Sequence, residues 1–297
     1  MSVEVLLDGH QLSLSNLDKV LYPEVGFTKA EVIDYYARVA PTMVPHLNRR
    51  GLTFHRFPNG VAASGFFEKR CPKHRPSWVS VADGPGDRGG SIGYCVIDSA
   101  AALVWAANLA ALELHAPMAL ATDIETPRMI VFDLDPGEPA AMRECATVAL
   151  LVREVLASVG LEAWPKTSGS KGLQLYVPLN TPCTHEEASS FALAVGQLLE
   201  RDDPALVVTS MAKAVRPGKV LVDWSQNSRH KTTIAPYSLR ARPQPTVSTP
   251  VSWDEVEAAA AGETALRFEA RDVLDRIEEH GDLFAPVLTR EQRILTR

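Results

Sequence analysis

Two aspartates separated by a single residue stand at the end of a predicted buried strand. Residues 130–134 are apolar apart from Asp133, and Asp135 is followed by Pro136-Gly137, a pair that stops a strand. Because side chains alternate along a strand, Asp133 and Asp135 should point the same way, about 7 Å apart. Two such carboxylates repel each other unless a cation lies between them, and Mg²⁺ or Mn²⁺ takes oxygen ligands of this kind. The alternative is a turn in which both aspartates are only solvated.

Two further stretches carry related chemistry. A second apolar strand is predicted at residues 219–224, and it also ends in an aspartate, Asp223. Residues 166–172, Lys-Thr-Ser-Gly-Ser-Lys-Gly, form a predicted tight turn that is rich in backbone N–H groups and contains Lys171. Such a turn suits a phosphate group, although its spacing is not that of a Walker A loop. Asp223 is therefore a third candidate ligand, and the turn is a weak candidate for phosphate contact.

Composition limits the class of protein. The chain has 297 residues, of which 46% are hydrophobic and 22% charged, and this composition suits one large or two modest globular domains. No run reaches the ~18 apolar residues that span a bilayer, and the N-terminus has no signal-peptide pattern, so a cytosolic location is the expectation. A net charge of −6 argues against nucleic-acid binding through bulk charge, although basic clusters occur at residues 213–219, 229–231 and 240–242.

The spacing of the four cysteines predicts neither a disulfide framework nor a metal site. Cys71, Cys95, Cys145 and Cys183 show no Cys-x-x-Cys spacing, so we expect neither disulfides nor a structural zinc site.

The elements that must position these residues alternate between helices and strands. Capping boxes at Thr28, Thr184 and Ser252 predict helix starts. Helices are further predicted at residues 16–22 (a single turn), 98–114, 140–158 and 270–280. Strands are predicted at residues 3–7, 11–14, 52–57, 78–81, 92–97, 173–177 and 207–209, with extended chain at 163–168 and 232–239.

The ordered motifs of the chain resemble one known family, the polymerase domain of bacterial ligase D in the archaeo-eukaryotic primase superfamily. The resemblance runs from about Leu14 to Asp282. It rests on NLDKVLYP from Asn16, GFF from Gly65, LELH from Leu112, FDLDPG from Phe132, KTSGSKG from Lys166, VDW from Val222 and APYSLRAR from Ala235. It implies an α/β (α+β) fold with a central mixed or antiparallel sheet that carries the acidic triad and is flanked by helices. It also implies one catalytic domain over residues 1–297, with residues 1–60 as a candidate lobe for a 5′-phosphate pocket.

The resemblance assigns roles to individual residues. The implied metal ligands and catalytic residues are Asp133, Asp135 and Asp223. The implied nucleotide contacts are His115, Ser168, Lys171, Gln174 and Arg240. The implied 5′-phosphate pocket consists of Asn16, Lys19 and Lys29, with Phe66 and Phe67 stacking on template bases and Arg56 near the template. Two positions depart from the family pattern: His55 stands in place of Lys, and Gln174 stands in place of His. A glutamine donates and accepts hydrogen bonds but cannot become cationic.

The function implied is template-directed nucleotidyl transfer by a two-metal mechanism, with gap filling and end extension in non-homologous end joining. The resemblance implies Mn²⁺ or Mg²⁺, nucleoside triphosphates with a preference for ribonucleotides, and DNA ends bearing a 5′-phosphate. With no room for a ligase module in 297 residues, we expect a separate ligase and Ku as partners, and a nucleoid-associated cytoplasmic location. Two alternatives stay open: a weakly catalytic DNA-end-binding scaffold, which Gln174 favours, and a metal-dependent phosphoesterase. Lys171 and Arg240 favour the polymerase, because hydrolysis has no need of them.

Overall fold

The computed structural model describes residues 2–86 and 89–294, which form two compact units that each combine separate chain segments. Unit 1 consists of Met1–Thr122, Thr232–Ser248 and Phe268–Gly281. Unit 2 consists of Asp123–Lys231, Thr249–Arg267 and Asp282–Arg297. The prediction of one catalytic domain, with residues 1–60 as a lobe, stays a prediction. No helix among the described residues is both long and apolar enough to cross a membrane.

The strands are short and numerous. In chain order they are β1 (Ser2–Leu7), β2 (His10–Ser15), β3 (Val20–Tyr22), β4 (Phe27–Thr28), β5 (Thr53–Arg56), β6 (Phe66–Glu68), β7 (Val81–Pro85), β8 (Ser91–Cys95), β9 (Ala111–Pro117), β10 (Ala119–Leu120), β11 (Asp123–Pro127), β12 (Met129–Pro136), β13 (Trp164–Thr167), β14 (Leu173–Pro178), β15 (Val207–Val208), β16 (Val220–Asp223) and β17 (Thr232–Ile234).

The helices are α1 (Lys29–Leu47), α2 (Ala100–Asn108), α3 (Met142–Ser158), α4 (His185–Asp202), α5 (Trp253–Ala261), α6 (Ala270–His280) and α7 (Pro286–Thr289). Two short 3-10 helices cover Lys213–Val215 and Trp224–Asn227. The capping boxes predicted at Thr28, Thr184 and Ser252 are confirmed. Each hydroxyl accepts a hydrogen bond from the backbone N–H of the glutamate three residues on, and the carboxylate of that glutamate accepts one from the backbone N–H of the capping residue.

Unit 1 is built around a sheet with strand order β17-β9-β5-β6. The long helix α1 packs against α2 through a buried stripe that includes Val32, Tyr36, Val39 and Met43, whose spacing places them on one helix face. Tyr36 donates a hydrogen bond to the carbonyl of Leu112 on β9 at 2.6 Å. This hydrogen bond joins α1 to the sheet and positions β9 in the core of unit 1.

The predicted helix over residues 98–114 is confirmed only as far as Asn108 and is wrong beyond it. The structure ends α2 at Asn108, with Ser99 as its N-cap, and then starts the buried strand β9 at Ala111. Ala110 between them has a positive φ of 55°, which breaks the helix. A continuous apolar run can be a buried helix or a strand buried on both faces, so periodicity alone does not separate the two. As a consequence, Glu113 and His115 lie on a strand and not on or after a helix.

Three smaller expectations for unit 1 are also wrong. The strand predicted at residues 78–81 is absent before Val81, where β7 begins, because residues 77–79 form a turn. Residues 16–22 form a turn followed by β3 instead of a helical turn, because Asn16 adopts a left-handed φ of 53° and β3 pairs with β4. Cys71 and Cys95 form a disulfide, with Cα atoms 4.8 Å apart. Cysteine spacing alone could not show this pair, because the β7–β8 hairpin folds the chain back so that Cys71 N donates to the carbonyl of Gly93.

Unit 2 contains a five-stranded sheet of order β13-β14-β12-β16-β15. All neighbours are antiparallel except β15 and β16, so the sheet is mixed, and α3 and α4 pack against β12. Central β12 is buried from Met129 to Leu134, which explains its apolar sequence. This confirms the predicted α/β fold with a mixed central sheet that carries the acidic residues.

Candidate functional site

The three predicted carboxylates lie on one face of the unit 2 sheet. Asp133 on β12 stands directly opposite Asp223 on β16 in the antiparallel register. Residues opposite each other in such a pair have Cβ atoms about 5 Å apart and share a face, and Asp135 shares that face because it is two residues along β12. The structure thus brings together residues that are 90 positions apart in the chain. Their role as metal ligands stays a prediction.

The electrostatic state of this face shows how crowded it is. Asp133 is only 8% exposed, while Asp135 is exposed at the end of the strand. Burial, together with the negative charges of Asp135 and Asp223, raises the pKa of Asp133 to about 7. A divalent cation would offset this repulsion, and a donor set made only of carboxylate oxygens suits Mg²⁺ or Mn²⁺.

Asp223 is held by its own neighbours. Its Oδ1 accepts from the backbone N–H and the hydroxyl of Ser225 at 3.0 and 2.6 Å, and its Oδ2 accepts from Gln226 Nε2 at 3.0 Å. Asp223 therefore also caps the 3-10 helix that follows β16. An ionised carboxylate has about four acceptor sites, so these bonds orient Asp223 and still leave capacity for a cation.

A buried lysine and Gln174 extend the acidic row along the sheet. Gln174 on β14 stands opposite Asp133 on one side and opposite Lys166 on β13 on the other. Gln174 Nε2 donates to Asp133 Oδ1 at 2.9 Å, and Lys166 Nζ donates to Gln174 Oε1 at 2.6 Å. Lys166 is completely buried and Gln174 is 4% exposed. Four neighbouring strands thus contribute one residue each to a continuous polar row.

The small-residue turn lies between β13 and β14, at the end of the same sheet. The Ser168 hydroxyl accepts from the backbone N–H groups of Ser170 and Gly172 at 3.3 and 3.1 Å, which tightens the turn. A side chain at residue 172 would collide with the carbonyl of Leu134, so glycine is required for this close approach to β12. Lys171 is exposed and pairs with the exposed Glu138 at 2.7 Å.

A second polar cluster lies in unit 1 around Glu113. Its Oε2 is 3.0 Å from both His55 Nδ1 and His115 Nε2, and its Oε1 accepts from Arg240 Nε at 2.9 Å and from the backbone N–H of Ala241 at 3.0 Å. Burial alone would raise the pKa of Glu113, but the hydrogen bonds from His115 and His55 and the charge of Arg240 hold this pKa far below its usual range. Burial lowers the pKa of His115.

Three side chains of this cluster, those of His55, Glu113 and His115, could hold a metal ion. The ligand atoms of His55, Glu113 and His115 lie within 4.8 Å of one another. This arrangement is consistent with the predicted use of a divalent metal. As the cluster stands, Arg240 and the hydrogen bonds from the two imidazoles already satisfy the carboxylate of Glu113.

The two predicted stacking aromatics are exposed on β6. Phe66 and Phe67 are 46% and 59% exposed, so neither is part of the core. Phe67 stacks on His55 with ring centroids 4.0 Å apart and an interplanar angle of 14°. Arg56 lies 5.2 Å from the ring centre of Phe66 and pairs with Glu68 at 2.9 Å. These contacts orient two exposed aromatic rings, and their role on a template stays a prediction.

The predicted phosphate pocket also has its members together in unit 1. Lys29 N donates to the carbonyl of Lys19 at 2.8 Å, and Lys19 N donates to the carbonyl of Asn16 at 3.0 Å. Lys29 is 5% exposed, and its Nζ donates to the carbonyl of Ser15 at 2.6 Å. Burial and the nearby charge of Lys19 lower the pKa of Lys29 to about 8. Two crowded cations make a favourable place for an anion.

Glu113 and Lys166 stand out among the cluster residues that received no role from the sequence. Glu113 organises the unit 1 cluster, and Lys166 ends the polar row of unit 2. A signal for Glu113 existed, because Leu112-Glu113-Leu114-His115 alternates as a strand does and places Glu113 and His115 on one face. Nothing comparable pointed to Lys166, because its importance depends on which strands are neighbours.

The fold agrees with that of a known protein. A solved structure, the polymerase domain from Mycobacterium tuberculosis ligase D in complex with DNA, matches with a TM-score of 0.87 and 45% identity over 93% of this chain and 98% of that one. The fold therefore defines a polymerase domain of the primase type. A family model described as LigD, primase-polymerase domain, matches residues 28–284. The chain belongs to the family of LigD primase-polymerase domains.

Full-length relatives are much longer. The multifunctional non-homologous end joining protein LigD of Mycolicibacterium smegmatis is 47% identical over 93% of this chain, and the bifunctional LigD of Bacillus subtilis is 32% identical over 91%. This chain spans 36% and 43% of the lengths of those two proteins, respectively.

Proposed function

We propose that this chain is a template-directed nucleotidyl transferase that fills gaps and extends broken DNA ends in non-homologous end joining. The observation that carries the proposal is the acidic row of unit 2, in which Asp133 faces Asp223 across two strands with Asp135 beside them. Membership of the LigD polymerase family supports the same reaction. DNA ends, nucleoside triphosphates, Ku and a DNA ligase activity are the proposed partners.

The carboxylates of Asp133, Asp135 and Asp223 would hold Mn²⁺ or Mg²⁺. Two bound ions would supply activation of a primer 3′-hydroxyl and charge for the leaving pyrophosphate. The contribution of the protein is orientation: the sheet register fixes the two facing carboxylates, and Ser225 and Gln226 hold Asp223. Oxygen-only ligands favour these ions over zinc.

The nucleotide contacts are proposed on both polar clusters. Lys171 is exposed and shares only a surface ion pair with Glu138, so it is available to a triphosphate. Ser168 shapes the turn that presents this lysine. His115 and Arg240 would bind the sugar or phosphates, and Glu113 sets the position of both.

The DNA contacts are proposed in unit 1. Lys29 and Lys19, together with Asn16, would take the 5′-phosphate on the far side of a gap. Phe66 and Phe67 would stack on template bases, with Arg56 close by. This division agrees with the net charge of −6, because local cations and stacking replace a general electrostatic attraction.

The test is primer extension on a short gapped duplex, with and without a downstream 5′-phosphate, using Mn²⁺ and each nucleotide in turn. We expect templated addition that the 5′-phosphate stimulates. Asp223→Asn should abolish addition and keep binding to the phosphorylated gap, because the phosphate pocket is untouched. Asp202→Asn, the same change at an exposed position of α4, is the matched control and should extend normally.

Each other outcome identifies a different protein. Tight binding of phosphorylated ends without extension by the wild-type chain would indicate the end-binding scaffold. Loss of terminal nucleotides in the absence of added triphosphates would indicate a phosphoesterase. Normal extension by Asp223→Asn would overturn the assignment of the acidic row.

A further inference from the structure

We propose that Lys166 and Gln174 are positioning residues that set the carboxylate of Asp133 for its cation. This inference rests on the proposed function and deepens it. The observation is the row of four side chains on neighbouring strands: Lys166 on β13, Gln174 on β14, Asp133 on β12 and Asp223 on β16. Each member stands opposite the next in the sheet register, so the row needs no loop to hold it.

The chemistry of the row leaves one arrangement for the glutamine amide. A lysine ammonium only donates hydrogen bonds, and an ionised carboxylate only accepts them. A group between them must therefore accept on one side and donate on the other, which fixes Oε1 of Gln174 towards Lys166 and Nε2 towards Asp133. Reversing the amide would place a donor against a donor and an acceptor against an acceptor.

Burial makes this arrangement rigid. Lys166 is completely buried, and its Nζ lies 5.3 Å from the ring centre of Tyr176, whose hydroxyl donates to Gln174 Oε1 at 3.3 Å. Leaving a buried polar group without a hydrogen-bond partner destabilises a protein much more than leaving an exposed one unpaired. Each hydrogen bond of the row therefore stabilises the position of the next. The Gln174 bond engages Oδ1 of Asp133 and leaves the other carboxylate oxygen for a cation.

The row also explains why a glutamine can stand at residue 174. A neutral imidazole accepts through one ring nitrogen and donates through the other, which is the same pair of functions that the amide supplies. The requirement at residue 174 is thus a neutral group with one acceptor and one donor, and a cationic group is not needed. A direct phosphate contact by Gln174 would need different partners, because Lys166, Tyr176 and Asp133 surround its amide.

The experiment compares Gln174→Met, which removes both functions at similar volume, with Gln174→His, which keeps them. Mn²⁺ affinity of the full chain is measured by titration with detection of free Mn²⁺ by electron paramagnetic resonance, without DNA or nucleotide. Loss of a partner that orients a metal ligand should weaken Mn²⁺ binding about tenfold in Gln174→Met. Gln174→His should bind Mn²⁺ within about threefold of wild type, since a neutral imidazole restores both bonds. Gln197→Met, at an exposed position of α4, is the matched control and should bind normally.

Kinetics separate positioning from substrate contact. In extension assays Gln174→Met should lower kcat about tenfold and leave the nucleotide KM within about twofold, because the change acts on the carboxylate and not on the nucleotide. A raised KM with unchanged kcat and unchanged Mn²⁺ affinity would show instead that Gln174 contacts the nucleotide, and would overturn the proposal.

Lys166 is tested through a double-mutant cycle with Lys166→Met and Gln174→Met. If both act through Asp133, the loss of Mn²⁺ affinity in the double variant should be smaller than the combined losses of the single variants. Combined losses that simply add would mean that Lys166 has only a structural role. Should Lys166→Met fail to fold by circular dichroism, the Gln174 variants decide alone. A wild-type chain that does not extend primers, but shows the expected order of Mn²⁺ affinities, would refute the proposed function and keep this inference.

Discussion

The acidic row of unit 2 and the Glu113 cluster of unit 1 place buried carboxylates in opposite surroundings. Asp133 has two other carboxylates beside it, and burial with these charges raises its pKa to about 7. Glu113 is buried too, but two imidazoles and a guanidinium surround it and hold its pKa well below its usual range. The cation of the acidic row, Lys166, reaches Asp133 only through Gln174, whereas Arg240 bonds directly to Glu113. The difference indicates that the acidic row favours binding of a divalent cation, whereas the charge of Glu113 is already balanced by its own neighbours.

The largest expected effect comes from removing a charge from the acidic row. Asp133→Asn should reduce primer extension by at least about 10³-fold, the scale seen when a key electrostatic group is lost from an active site. Without metal, the same change should raise the melting temperature, because it relieves repulsion among Asp133, Asp135 and Asp223. Thermal unfolding with and without Mn²⁺ checks this, and a melting temperature that falls in metal-free buffer would contradict the account of crowding.

Removing the charge of Glu113 should destabilise the protein, whereas Asp133→Asn should stabilise it in the absence of metal. Glu113→Gln leaves Arg240 and two histidines without their anion, and we expect a loss of about 3 kcal/mol in the free energy of unfolding, as for other broken buried ion pairs. Chemical denaturation measures it. Glu278→Gln, which disrupts an exposed pair with Arg38, is the control and should change little. Equal losses in the two variants would show that the Glu113 cluster is no stronger than a surface contact.

The two lysines of the proposed phosphate pocket are the cationic counterpart of the acidic row. Because the pKa of Lys29 is lowered to about 8, this side chain is cationic below pH 8 and loses its proton as the pH rises through that value. The preference for a phosphorylated over an unphosphorylated gap should therefore shrink by up to about tenfold per pH unit above pH 8. This decrease ends at the pKa that Lys29 has when phosphate is bound. In Lys29→Arg the side chain stays cationic to above pH 12, so the preference of this variant for the phosphorylated gap should stay constant over the same pH range. Fluorescence anisotropy from pH 7 to 9.5 compares the two, and parallel curves would place the phosphate elsewhere.

The smallest effect is expected at the exposed Lys171–Glu138 pair. Both side chains are exposed, so Glu138→Gln should leave the melting temperature unchanged. Release of Lys171 should lower the KM for nucleotide, by about twofold, because the lysine no longer has a competing carboxylate. Steady-state extension kinetics measure this change, and a KM that rises would mean that Glu138 itself assists the nucleotide.

The fold was predictable where local pattern and tertiary position agree. The apolar strand ending in Asp133 and Asp135, and the capping boxes at Thr28 and Thr184, are both local features, and the structure confirms them. The run from residue 98 to 114 is a helix only as far as Asn108, and the prediction fails beyond it because the apolar helix leads directly into a strand marked by only four alternating residues, 112–115. The Cys71–Cys95 disulfide was missed since a hairpin brings the two residues together.

By itself the sequence determined which acids, lysines and aromatics the chain has, and its ordered motifs were enough to indicate the family that the comparisons confirm. Tertiary structure alone decided that Asp223 faces Asp133, that Gln174 links Asp133 to Lys166, and that Glu113 is surrounded by His55, His115 and Arg240. The physical reason is that these relations depend on strand order and register. Strand register follows from the packing of whole apolar faces, and no single segment contains that information.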